Sequence, residues 1–202
     1  VVWGLAPHDI SILNFLLDAT PKAVDAWGAS LAFGKMEDIA YIRLDYEEPK
    51  VTGYAHLSWL DPRKTRTVTV VGSKKMAVYD DLAEEPLRIF DRGVQGAEGF
   101  TPSHERPPTY RYGDIVAPHI RPEEPLATQD RHFIDCIRQN AVPESCGDKA
   151  LGIVAVLEAI DRSMKRHGVV PVAATPGSAP RDTWRTHSAG PLSWGVAAEM
   201  QP

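Results

Sequence analysis

Ala40-Tyr41-Ile42-Arg43-Leu44-Asp45-Tyr46 decides the fold class. Ala40, Ile42, Leu44 and Tyr46 alternate with Tyr41, Arg43 and Asp45, a period of two that sets one side of a strand against a core and leaves the other open. The same period extends outward from this stretch, from Lys22 to about Arg92. It predicts strands near Ala23 to Phe33, Thr52 to Leu60, Thr65 to Val71, Lys75 to Asp80 and Leu87 to Asp91, with one more near Tyr110 to Val116. Gly72 and Ser73, between Val71 and the strand around Met76, read as a tight hairpin with Gly72 at positive φ. Connections this short make neighbouring strands antiparallel.

Helical spacing flanks the meander. Pro7 suits a first helical position and Asp9 the positive dipole end, which predicts a helix from about Pro7 to Asp18, halted by Thr20 and Pro21. Its apolar residues, including Ile10, Ile12, Leu13, Phe15, Leu16 and Leu17, cover most of the circumference and predict burial on more than one side. Two further helices are expected. One runs from about Thr128 to Asn140, with Phe133, Ile134 and Ile137 on one face, and the other from about Asp148 to His167, with Gly168 as its left-handed cap. Val169 to Val172 reads as an edge strand and Gly93 to Pro108 as a surface loop. The expected class is α+β: an open, mainly antiparallel sheet of about six strands with helices packed on one face. Residues 1–173 are expected to form that domain and 174–202 a disordered tail. The uncovered sheet face would need a second subunit, so a homo-oligomer paired through that face is expected.

Of 202 residues, 22 are Lys or Arg and 27 Asp or Glu, giving 22 − 27 = −5. Charges of mixed sign and a mild acidity argue against a nucleic-acid partner. Apolar runs such as Ile10 to Leu17 reach about half the ~20 residues of a membrane span, so no membrane partner is expected either. Without a leader pattern, and with Cys136 and Cys146 read as reduced thiols, a cytoplasmic location is expected. A start at Val1 inside an apolar run suggests a chain cut from something longer. No metal-ligand spacing occurs. Gly93, Gly96 and Gly99 lack a preceding strand and following helix, and Gly34-Lys35 lacks a following Ser or Thr, so no cofactor-binding residues are assigned.

His8, in the expected first helical turn, would feel the positive dipole end, which favours a neutral ring able to accept a proton. It is the catalytic candidate, the plain alternative being a His that satisfies nearby backbone groups. Arg63, Lys64 and Arg66, just before a strand, could bind an anionic substrate or be solvated turn charges. They are the substrate-binding candidates. Trp59 reads as core or interface.

Three stretches carry a resemblance: WGLAPHDISILNFLL from Trp3, YAHLSWLDPRKTRTVTVVGSKKMAVYDDL from Tyr54, and HFIDCIRQNAVPESCGDKALGIVAVLEAIDRSM from His132. From Val1 to about Ala173 the chain resembles the second domain of the glucose-fructose oxidoreductase, inositol dehydrogenase and MocA family, nearest to members acting on nucleotide-linked or other sugars. The resemblance implies a sugar-type substrate, and NAD or NADP held by an N-terminal dinucleotide domain in an intact protein. That domain and its Glu-Lys-Pro segment are missing here, so the chain alone is expected to bind no cofactor and to be inactive. The family's domain opens on an Asp, three residues and a His. His8 falls on the His, while Gly4 falls on the Asp and has no carboxylate. The rival expectation is a non-catalytic assembly module pairing through its sheet face.

Overall fold

The computed structural model describes residues 1–95 and 109–174. Elements run α1 (Val2–Leu17), β1 (Ala23–Ala29), β2 (Ile39–Tyr46), β3 (Val51–Ser58), β4 (Thr67–Val71), β5 (Met76–Asp80), β6 (Leu87–Gln95), β7 (Thr109–Val116), α2 (Pro125–Gln139), α3 (Gly147–Arg166) and β8 (Val170–Pro171). The α+β class with open antiparallel sheets holds. The strands are divided into two four-stranded sheets, ordered β3-β2-β1-β8 and β4-β5-β6-β7, where one sheet of about six was expected. The residues fall into two compact units, Val1–Leu60 with Gln129–Pro202, and Asp61–Thr128. Period-two patterning specifies that a strand has two faces but not which strand continues which sheet.

In the first unit, β1, β2 and β3 align Val24 with Leu44 and Gly53, and Ala26 with Ile42 and Ala55. This face packs under α1 and α3, forming a core of Ile10, Val24, Ile42, Leu44, Val156 and Ile160 among others. Gly28 permits the close approach of β1 to α3, because a Cβ there would lie 2.9 Å from Met164 Sδ. β8 pairs only with Ala23 and Val24. Beyond it, the N–H of Ala26 is taken by buried Ser163 Oγ at 2.8 Å, and Ser163 in turn donates to Gly168 O at 2.7 Å. A side chain from α3 thus replaces a ladder partner where the edge strand ends.

The opposite face of this sheet sets Trp27, Tyr41 and His56 side by side on three strands. Tyr41 stacks on His56 with centroids 4.5 Å apart.

Several expectations are corrected. α1 starts at Val2 and contains Pro7 in its interior, so Pro7 is not a first helical residue. Only Val2, Ala6 and Ile10 of α1 are buried, a single stripe at spacing of four, while Phe15 and Leu16 are exposed. One side of the helix meets the sheet and α3, and an apolar circumference cannot bury what no element faces. Phe133, Ile134 and Ile137 of α2 are likewise exposed. The turn before β5 spans Gly72 to Lys75, closed by Gly72 N–H to Lys75 O at 3.0 Å, and Gly72 has no positive φ. Glycine serves there because a Cβ would lie 2.8 Å from that same carbonyl. The left-handed cap of α3 is His167, at φ 55°, rather than Gly168. β6 continues to Gln95, into the segment expected to be loop, whose remainder lies outside the described residues. So does the expected tail beyond Ala174.

In the second unit, the register places Val68, Tyr79 and Leu87 across from one another, and likewise Val70, Ala77, Ile89 and Val116. One face of this sheet is therefore apolar. Among the described residues the unit's own helical contribution is the first turn of α2.

Candidate functional site

His8 lies one turn beyond Gly4 on α1, so positions 4 and 8 share a face. It is exposed and past the first helical turn. The dipole rationale for its protonation state therefore drops away, since that effect fades within the first turn. Its carbonyl accepts from Ser11 Oγ at 2.7 Å. Burial raises the pKa of neighbouring Asp9 from its ordinary value, which the nearby His8 and a backbone N–H only partly oppose.

Beside Gly4 opens a cleft of about 500 Å³, with Trp3, Gly4, Glu37, Trp59, Asp161 and Lys165 in its lining. Trp3 Nε1 donates to Asp161 Oδ2 at 2.9 Å, joining α1 to α3 across the cleft. Trp59 follows β3 and meets Phe33 edge-on with centroids 6.1 Å apart. A Cβ on Gly4 would touch only Trp59 Cζ2, at 3.5 Å, so a larger residue fits at this position.

One wall of the cleft is set by Asp38, which is fully buried. Its carboxylate accepts N–H bonds from Leu31, Ala32 and Phe33 at 2.7 to 3.1 Å, and its carbonyl accepts from Trp59 N at 2.9 Å. Burial would raise its pKa. The backbone donors of Ala32, Phe33 and Leu31 outweigh burial and hold the carboxyl below its ordinary value. Asp38 thereby fixes the loop carrying Met36 and Glu37 and the start of the segment carrying Trp59. Nothing local in the sequence marks Asp38 for this task, and the partners Trp3 and Asp161 are separated by most of the chain.

Arg63, Lys64 and Arg66 lie exposed in the irregular segment just before β4. Arg66 Nη1 is 3.4 Å from Asp81 Oδ2, and its carbonyl accepts from Asp81 N at 3.0 Å. The pairing partly satisfies that guanidinium locally. His8 belongs to the first unit and the three basic residues to the second. Among the described residues no group of three or more His, Cys, Asp or Glu could hold a metal, and no helix is long and apolar enough to cross a membrane.

Residues 1–78 match the GFO/IDH/MocA C-terminal domain model. Over this stretch, about two fifths of its length, the chain is similar to that family. Solved structures with the same fold include levoglucosan dehydrogenase in complex with NADH and levoglucosan, at 14% identity and TM-score 0.65, covering 85% of this chain and 50% of that one. The WlbA dehydrogenase from Bordetella pertussis, in complex with NADH and UDP-GlcNAcA, aligns at 20% identity and TM-score 0.59, covering 84% of this chain and 44% of that one. Aldose-aldose oxidoreductase from Caulobacter crescentus, complexed with glycerol, aligns at 21% identity and TM-score 0.61, with coverage of 82% and 45%. The chain thus spans about half the length of these proteins. No curated protein sequence matches it. Gly4, His8 and Trp59 all fall within the matched stretch.

Proposed function

We propose that this chain supplies the substrate-binding and oligomerisation half of an NAD(P)-dependent sugar oxidoreductase and is inactive alone. The supporting observation is the match of residues 1–78 to the GFO/IDH/MocA C-terminal domain, together with a first helix that places His8 one turn beyond Gly4, which lines an open cleft of apolar and charged side chains. Related structures hold NADH together with levoglucosan or with UDP-GlcNAcA. The described residues of this chain do not fit a dinucleotide: every strand pair is antiparallel, and there is no glycine turn between a strand and a helix N-terminus. NAD or NADP would belong to a separate domain, and no redox step is assigned to this chain. What the chain can contribute is a base for the proton of a sugar hydroxyl, His8, and contacts to the substrate. Arg63, Lys64 and Arg66, in the second unit, are the candidates for binding an anionic substrate. The free thiols of Cys136 and Cys146 suit a cytoplasmic location.

The test is a fusion to a dinucleotide domain from a relative. Turnover of the fusion should be weak and Gly4→Asp should raise it at least about tenfold, because general acid and base groups contribute ~10²- to 10⁴-fold. His8→Ala should remove most of that gain. If neither substitution changes the rate, the oxidoreductase reading fails. The unfused chain should show no saturable quenching of its five tryptophans by NADH.

A second reading, an assembly module without catalysis, is favoured by the apolar face of Val68, Val70, Ala77, Tyr79, Leu87, Ile89 and Val116, with no helical layer among the described residues of its own unit. Sedimentation should show a dimer or larger, which Val70→Lys should dissociate. A monomer at tens of micromolar would rule the module out.

A further inference from the structure

We propose that His132 is a pH-sensitive latch, which holds the connection between α2 and α3 against α2 while its ring is neutral and releases it on protonation. Glu144 N–H donates to His132 Nε2 at 3.1 Å, across 12 residues of sequence. An imidazole nitrogen accepts only through its lone pair, so this bond requires a neutral ring whose hydrogen sits on Nδ1. A proton added at Nε2 sets a donor against a donor, and the bond is lost. Histidine is the side chain that makes this change between pH 5 and pH 8. His132 is exposed, so protons reach it freely and its replacement leaves the core intact.

Among the described residues α2 has no extensive packing with another helix or strand, which makes the connection important to its placement. The helix turns off at Asn140, in left-handed conformation at φ 52°, where Ala141 N–H reaches Cys136 O at 2.9 Å. The His132 bond lies beyond that cap and folds residues 141–144 back along the helix. Asn140, Ala141 and Pro143 then line a hollow of about 340 Å³ together with Phe133, Cys136 and Ile137, and Cys136 is only 7% exposed. Release of the latch opens this hollow and uncovers the thiol. Cys136 Sγ lies 3.6 Å from Nε2 and 3.9 Å from Nδ1, so it borders the ring. The other charged and titratable groups on the adjoining elements are Arg131 and Asp135 of α2, Glu144 and Cys146 of the connection, and Asp148 and Lys149 in the first turn of α3. Asp135 is paired with Arg138 at 3.7 Å.

The test is NMR on the full chain across the histidine range, from about pH 8 to about pH 5. At the upper end, long-range proton–nitrogen spectra should show the His132 ring protonated at Nδ1 and bare at Nε2. Protection of the Glu144 amide, corrected for its intrinsic exchange rate, should fall about two- to tenfold at the lower end, the worth of one net hydrogen bond. The Ala141 amide, whose acceptor is Cys136 O, should change less. His132→Gln offers an acceptor that does not titrate, so the fall should vanish there. Glu144→Gln removes a carboxylate and keeps the amide, so the fall should persist. Circular dichroism establishes the fold of both variants. A hydrogen on Nε2 at the upper end, or protection of Glu144 that ignores pH, would overturn the latch. So would an equal fall at Ala141, a fall that survives in His132→Gln, or one that disappears in Glu144→Gln.

Discussion

The two four-stranded sheets are built from similar strands and end in different states. Every buried hydrophobic residue of the described chain lies in the first unit, where α1 and α3 cover the β3-β2-β1-β8 sheet. In the second unit the aligned Val68, Val70, Tyr79 and Val116 face no helix among the described residues of their own unit, and the last three remain at least 40% exposed. An amphipathic strand therefore stores an option, and a second layer decides whether it becomes a core. The cleft and its fixed loop belong to the covered unit, whose rigidity can hold side chains in place, and the open apolar face belongs to the other.

The largest expected effect tests this contrast directly. Leu44→Ala or Ile160→Ala should cost about 2–5 kcal/mol in urea unfolding, and Val70→Ala under about 1 kcal/mol, because only the former leave a cavity in a closed core. Equal costs would mean that the second sheet is covered in solution. Hydrogen exchange sharpens the same comparison: amides of Ile42 and Leu44 should exchange near the global unfolding rate, and those of Ala77 and Val78 far faster.

Acid sensitivity should reside in the first unit. The folded pKa of Asp38 is lowered, so its contribution is present above the ordinary carboxylate value of 3.8 and is lost as pH falls below it. Asp38→Asn should lower the urea midpoint at pH 7 and flatten the loss of stability between pH 4 and pH 2, about the ordinary carboxylate range. The smallest effect has the opposite sign. Asp9 has a raised folded pKa, so its contribution is present below 3.8 and is lost as pH rises through the raised value. Asp9→Asn should leave the neutral-pH midpoint unchanged or slightly higher, and a clear drop would show that its carboxylate has a partner.

The strand set was legible because alternation is local: Ala23, Ile39, Thr67 and Leu87 begin strands close to where period and turn residues place them. α1 was misplaced at its start because Pro7 is a strong local signal for a first helical position, yet the stripe Val2, Ala6 and Ile10 gains enough by burial to carry the helix through it. His8 and Gly4 could be picked out by motif. The cleft could not, since Trp3 and Asp161 meet only through the packing of α1 on α3.

The sequence by itself determined the α+β class and the antiparallel order of adjacent strands, both properties of spacing within a few residues, while the pairing of His8 with Gly4 is what the family resemblance implies. Only the tertiary structure decided that the strands form two sheets, that one is roofed by helices, and that Asp38 binds its loop while Asp161, Glu37 and Trp59 share a cleft. The physical reason is that burial and side-chain convergence depend on which distant surfaces meet. Periodicity specifies that a face is apolar and leaves open what will cover it.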